Sequence, residues 1–208
     1  LVDPPPVEDS VPSFSRSSET FNVAIPGQVF TLTTKVVNPS PLRIEPIQAT
    51  LHVPKHWVVR VLQQDLSALS HNGETEARFE VRVPEEASYS RPYWSRQSEY
   101  HDDVYTVDRP EFTHLPFQPP EVVGMLTYRI EGVEFKISQP AQTVQMIQPL
   151  GERRRLLMVA PALSLTVSPS IGVILVETGQ QTFTARAEVL NNVKGITEGK
   201  VHLQIPEN

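Results

Sequence analysis

The chain has 208 residues, 39% of them hydrophobic and 20% charged, and a net charge of −6. That length suffices for one large domain or two small ones, each with a real core. The acidic balance, with no basic run longer than Arg153-Arg154-Arg155, argues against nucleic acid as a partner, and the absence of cysteine excludes disulfides, thiolate metal sites and cysteine nucleophiles.

With 20 prolines against 9 glycines, the composition predicts short strands joined by Pro-punctuated turns and no long helix. No stretch approaches the roughly 20 consecutive apolar residues that a membrane-spanning helix needs. Residues 1–18 hold three consecutive prolines, then Ser, Glu and Asp, and read as a linker arriving from an upstream domain. No export signal is legible there, so any such signal is expected outside this sequence.

From Phe21 the pattern alternates. Phe21–Ile25, Val29–Val37, Ile47–Val53, Trp57–Val61 and Ala77–Val83 are predicted strands separated by Pro and Gly turns. Ile47, Ala49, Leu51 and Val53 are expected to face inward, as are Ala77, Phe79, Val81 and Val83. The rhythm breaks at Pro84 and resumes at Val122. Val122–Ile130 and Val133–Ile137 flank Glu131-Gly132 and read as a hairpin. Gln142–Ile147 is a further strand, and Pro149-Leu150-Gly151-Glu152 is taken as a module boundary. Short alternating segments about every 8–12 residues predict an all-β antiparallel sandwich.

An internal repeat runs through both halves. Gly27–Asn38 resembles Gly179–Asn191 with one inserted residue, which brings Phe30 onto Phe183 and Asn38 onto Asn191. Ala49–Pro54 likewise matches Val201–Pro206. The second copy stops where the counterpart of Trp57 would follow, so residues 151–208 are expected to be part of a second module that is truncated here. The domain reading is therefore 1–18 linker, 19–150 first module with an irregular insertion at 84–121, and 151–208 partial second module.

The sequence carries few groups arranged for chemistry. There is no Gly-x-Ser-x-Gly elbow and no phosphate-cradling glycine loop, so no catalytic residue and no cofactor is expected. His101, Asp102, Asp103, Asp108, Glu111 and His114 have ligand chemistry but no scaffold to converge them. They read as loop charge, not as a metal site. Trp57 reads as core. Seven of the 15 aromatic residues fall between Tyr89 and Phe117. Arg91, Tyr93, Trp94, Arg96, Tyr100 and Tyr105 are the candidate contact residues. Flat rings with polar edges stack on sugars, while a long loop also uses its rings to order itself or to pack on a neighbouring domain.

The strand ending in Asn38-Pro39 and the run from Pro46 to Trp57 resemble the bacterial immunoglobulin-like domain found beside alpha-galactosidases and other secreted glycan-active enzymes. Arg91-Pro92-Tyr93-Trp94-Ser95-Arg96, Pro116-Phe117-Gln118-Pro119-Pro120 and Leu126-Thr127-Tyr128 are similar to the region C-terminal to the catalytic domain in LmbE-like (PIG-L-type) N-acetylglucosaminyl deacetylases. Val159-Ala160-Pro161-Ala162-Leu163 and Val167-Ser168-Pro169 fit the same pattern. The zinc motif of that catalytic domain, of His-x-Asp-Asp type with a distal His, is missing. His101-Asp102-Asp103 lacks its spacer. The resemblance implies immunoglobulin-like modules forming a non-catalytic accessory region of a secreted, periplasmic or envelope enzyme. The upstream catalytic domain would be its partner, with cell-envelope glycan as an alternative ligand of the aromatic loop.

Overall fold

A computed structural model describes residues 2–3, 20–97, 103–169, 184–193, 195 and 197–203, with only the backbone given for 2–3. The chain is all-β and antiparallel, and no α-helix occurs among the described residues. One sheet joins β1 (Val2–Asp3), β2 (Val29–Val37), β4 (Val58–Gln64) and β5 (Glu74–Arg82) in the order β1-β2-β5-β4. A second joins β3 (Glu45–His52), β8 (Val123–Ile130) and β9 (Val133–Pro140) in the order β3-β8-β9. Between β5 and β8 lie two short strands, β6 (Trp94–Ser95) and β7 (Thr106–Val107), and a 3-10 turn at Pro110–Phe112. Two further antiparallel pairs follow: β10 (Gln142–Ile147) with β11 (Gly151–Leu156), joined as a hairpin, then β12 (Leu163–Ser168) with β13 (Arg186–Asn191).

The core lies between the two larger sheets. Phe30 and Leu32 from β2 and Ala77, Phe79 and Val81 from β5 meet Ala49 from β3 and Leu126 from β8. The strict alternation of β5 puts Ala77, Phe79, Val81 and, just past its end, Val83 inside, as period-2 patterning requires. At Gly124 the layers approach each other closely. A Cβ there would sit 3.0 Å from Thr34 Cγ2, so a side chain in β8 would press on β2.

Two expectations are corrected. Ile47 is exposed, because a bulge between Pro46 and Gln48 shifts the register against β8 and turns Pro46 inward in its place. Phe21–Ile25 makes only an isolated bridge, Ala24 running parallel to Val159, although Ala24 itself is fully buried. That bridge is built by the Ala24 N–H donating to the Met158 carbonyl at 2.8 Å and the Ala160 N–H donating to the Ala24 carbonyl at 2.9 Å.

The segment Pro149–Gly151 lies at the turn of the β10–β11 hairpin, whose register runs from Gln142↔Leu156 to Ile147↔Gly151. Beyond it, Leu157 and Val159 join the same core as Phe30 and Phe79. Arg153, Arg154 and Arg155 are consecutive residues of β11.

The repeat has a structural echo at its aligned asparagines. Asn38 Nδ2 donates to the Leu42 carbonyl at 2.8 Å, and its Oδ1 accepts from the Ser40 N–H at 3.1 Å. Asn191 Nδ2 donates to the Gly195 carbonyl at 2.8 Å, and its Oδ1 accepts from the Val193 N–H at 2.9 Å. The offsets of four and two residues are the same. Each asparagine ends its strand with an Asx turn, in which the side chain replaces a backbone partner. Phe183 and residues 204–208 lie outside the described residues.

Candidate functional site

The segment from Pro84 to Glu121 connects the two large sheets, and none of its described residues is buried. Its order comes from hydrogen bonds and ring pairs instead. Ser90 ties its start to the sandwich: its N–H donates to the Val159 carbonyl at 2.9 Å, and its Oγ accepts from the Val159 N–H at 2.9 Å. The same Oγ donates to Glu121 Oε2 at 3.1 Å, so both ends of the segment meet at one hydroxyl. β6 and β7 pair through Trp94↔Val107 and Ser95↔Thr106, and Ser95 Oγ donates to Asp108 Oδ1 at 2.9 Å.

Tyr93 anchors the loop from the inside. Its hydroxyl donates to the Leu115 carbonyl at 3.0 Å, and its ring meets Phe112 edge-on at 6.3 Å. Its own carbonyl accepts the N–H groups of Asp108 and Arg109. Trp94 and Tyr105 meet at 4.7 Å with their planes 81° apart, and the Arg96 guanidinium lies 5.2 Å from the Tyr105 ring centre. Edge-to-face ring pairs and a cation over a ring are favourable arrangements of the aromatic quadrupole. The pairing leaves Trp94 40% exposed and Tyr105 52% exposed.

These rings enclose an open cleft of about 340 Å³, lined by Tyr93, Trp94, Tyr105, Val107 and Thr113. The structure thus brings together Tyr93, Trp94 and Tyr105, with Arg96 bracing the last. Arg91 is exposed and does not line the cleft, and among the described residues its carbonyl is the group that is bonded. The Gln118 amide satisfies both its ends by donating to that carbonyl at 2.9 Å and accepting from Arg109 Nη1 at 3.1 Å. Tyr100 lies outside the described residues. Val107 and Thr113 line the cleft unforeseen; the alternation Tyr105, Val107 across a short strand was the available signal.

A second cleft of about 300 Å³ opens beside Trp57, between the Lys55-His56 turn and the loop residues Glu86, Arg109 and Glu121. Trp57 is half-buried: one side packs on the core and the other forms this wall. Of the residues with ligand chemistry, His101 and Asp102 lie outside the described residues. Among the described residues no three His, Asp or Glu side chains gather as a metal-binding group. None of the helices described is long and apolar enough to cross a membrane.

No family model matches the chain, and no curated protein or solved structure gives a significant match.

Proposed function

We propose that the chain is a non-catalytic accessory region of an exported glycan-active enzyme of the LmbE-like deacetylase type, built on an immunoglobulin-like sandwich. Its role is to pack on and position the upstream catalytic domain. The strand order supports the fold reading. In chain order, β1-β2-β5-β4 and β3-β8-β9 correspond to the A-B-E-D and C-F-G sheets of an immunoglobulin domain, with β6 and β7 inserted between E and F. The β12–β13 pair, with Asn191 at the position of Asn38, supports reading 151–208 as the start of a second module of the same kind.

The observation that carries the contact role is the exposure of Trp94 and Tyr105 on a hairpin held by hydrogen bonds and ring pairs, outside the core. Large apolar rings in water favour a partner. A second reading, carbohydrate binding, is favoured by the cleft itself. A perpendicular Trp94–Tyr105 pair offers one ring face and one ring edge to a flat sugar, and the volume falls within the range of small-ligand sites.

Trp94→Ala separates the two readings. Titration with chitin- and peptidoglycan-type oligosaccharides, with loss of binding in the variant, supports the carbohydrate reading. No binding by either protein, with weaker association of the variant to the catalytic domain, supports positioning. If neither interaction changes, the aromatic loop is not the contact surface.

A further inference from the structure

Sheet edges carry unpaired backbone N–H and C=O groups, and proteins blunt them with bulges, prolines or like charges. Three edges here are treated in that way. β3 carries Pro46 and a bulge, β4 a bulge between Val61 and Gln63, and β11 the row Arg153-Arg154-Arg155, which would face its own kind in a pairing. β9 differs. It pairs with β8 in unbroken register from Ile130↔Val133 to Val123↔Pro140, and nothing described pairs on its other side.

The turn sets which groups are open. Glu131 and Gly132 both have positive φ, 48° and 84°, which is the type I′ hairpin that suits the twist of two strands. Such a turn directs the Val133 N–H at the Ile130 carbonyl. Ladder alternation then turns the backbone groups of Glu134, Lys136 and Ser138 toward the open edge. On the core-side face, Val133, Phe135 and Ile137 stand opposite Ile130, Tyr128 and Leu126 and stay 57%, 43% and 49% exposed. Tyr128 and Phe135 stack at 5.7 Å.

We infer that β9 is a self-association edge, pairing antiparallel with β9 of a second copy about a twofold axis at Phe135. The sequence Val133-Glu134-Phe135-Lys136-Ile137 is complementary to its own reverse. Phe135 meets Phe135 of the second copy, Val133 meets Ile137, and Glu134 meets Lys136 twice by symmetry. This register also places the outward-facing backbone groups of Glu134 and Lys136 opposite each other, as a hydrogen-bonded pair. Opposite charges and aromatic pairs at facing positions are the stabilising cross-strand combinations, and a twofold interface requires such self-complementarity. An edge guarded against itself would place like charges there.

Neither Glu134 nor Lys136 is joined in an ion pair among the described residues. Arg186 and Glu188 on β13 have the same spacing but are already bonded to each other at 3.1 Å. The result is a six-stranded sheet running β3-β8-β9 and then β9-β8-β3 of the second copy.

Sedimentation velocity of the full chain over a concentration series tests this. The wild type is expected to dimerise with rising concentration. Lys136→Glu sets Glu against Glu at both symmetry positions and is expected to weaken the dimer by at least about tenfold. The double exchange Glu134→Lys/Lys136→Glu restores opposite pairs and is expected to restore the dimer, which also shows that the reversed charges do not unfold the strand. A monomeric wild type, a Lys136→Glu dimer as tight as the wild type, or a double exchange that stays monomeric overturns the inference.

Discussion

Asn38 is fully buried, yet each polar atom of its side chain is bonded. Beyond the Leu42 carbonyl, its Nδ2 reaches the carbonyls of Leu69 at 3.1 Å and Ser70 at 3.2 Å, and Oδ1 also accepts from Ser40 Oγ at 2.9 Å. One amide thus ties the end of β2 to the loop before β5. Asn38→Ala orphans several buried groups at once and is expected to cost about 3 kcal/mol by urea unfolding. Asn191→Ala removes the same local turn from an exposed position and should change stability by no more than about 0.5 kcal/mol. At Asp65, bonds from the side chain and then the N–H of Ser67 hold the carboxyl below its usual range, against a small opposing effect of burial. A lowered folded value means that its contribution is present above the unfolded value near ~3.9 and is lost as pH falls through the folded one. Ser67→Ala should move the Asp65 midpoint upward in an NMR titration.

Among the elements, β5 and the β8–β9 hairpin follow their patterns closely, because one is a central strand with a single buried face and the other is set by its Glu131-Gly132 turn. β3 does not. Proline at 46 cannot donate to the ladder, and the bulge beside it moves Ile47 to the outer side. The β6–β7 hairpin is the opposite case: two residues per strand, no buried side chain, and rings that brace one another. Trp94→Ala is accordingly expected to shift stability by under about 1 kcal/mol, since little buried area is removed. Thermal unfolding checks this alongside the binding assays, and a large loss would mean that the ring holds the fold.

At the scale of the molecule, one core joins segments far apart in sequence. Ala24, Phe30, Phe79, Leu126, Leu157 and Val159 belong to a single cluster, so residues near 157–160 close the layer that residues near 24 open. Phe79 is among the largest of its fully buried side chains. Phe79→Ala removes ring contacts to both sheets and is expected to cost about 3–5 kcal/mol in denaturant unfolding. A cost below 1 kcal/mol would contradict a shared core. Asn192, just past β13, closes the β12–β13 pair at its base, where its Nδ2 donates to the Pro161 carbonyl at 2.9 Å and to Ser164 Oγ at 2.8 Å.

Alternation, turn residues and the repeat determined by themselves that the chain is all-β, where β2, β5, β8, β9 and β10 lie, and that aromatic residues crowd one connection. These are local properties: a period of two and a glycine at positive φ are written within a few residues. Tertiary structure alone decided the rest. Which strands neighbour one another, the bulge that exposes Ile47, and the use of Leu157 and Val159 by the first core depend on partners about a hundred residues away. So does the difference among the loop residues, where Tyr93, Trp94 and Tyr105 share a cleft and Arg91 stands apart. The proline-rich composition foretold short strands and many turns, but only packing showed how the thirteen strands among the described residues are joined.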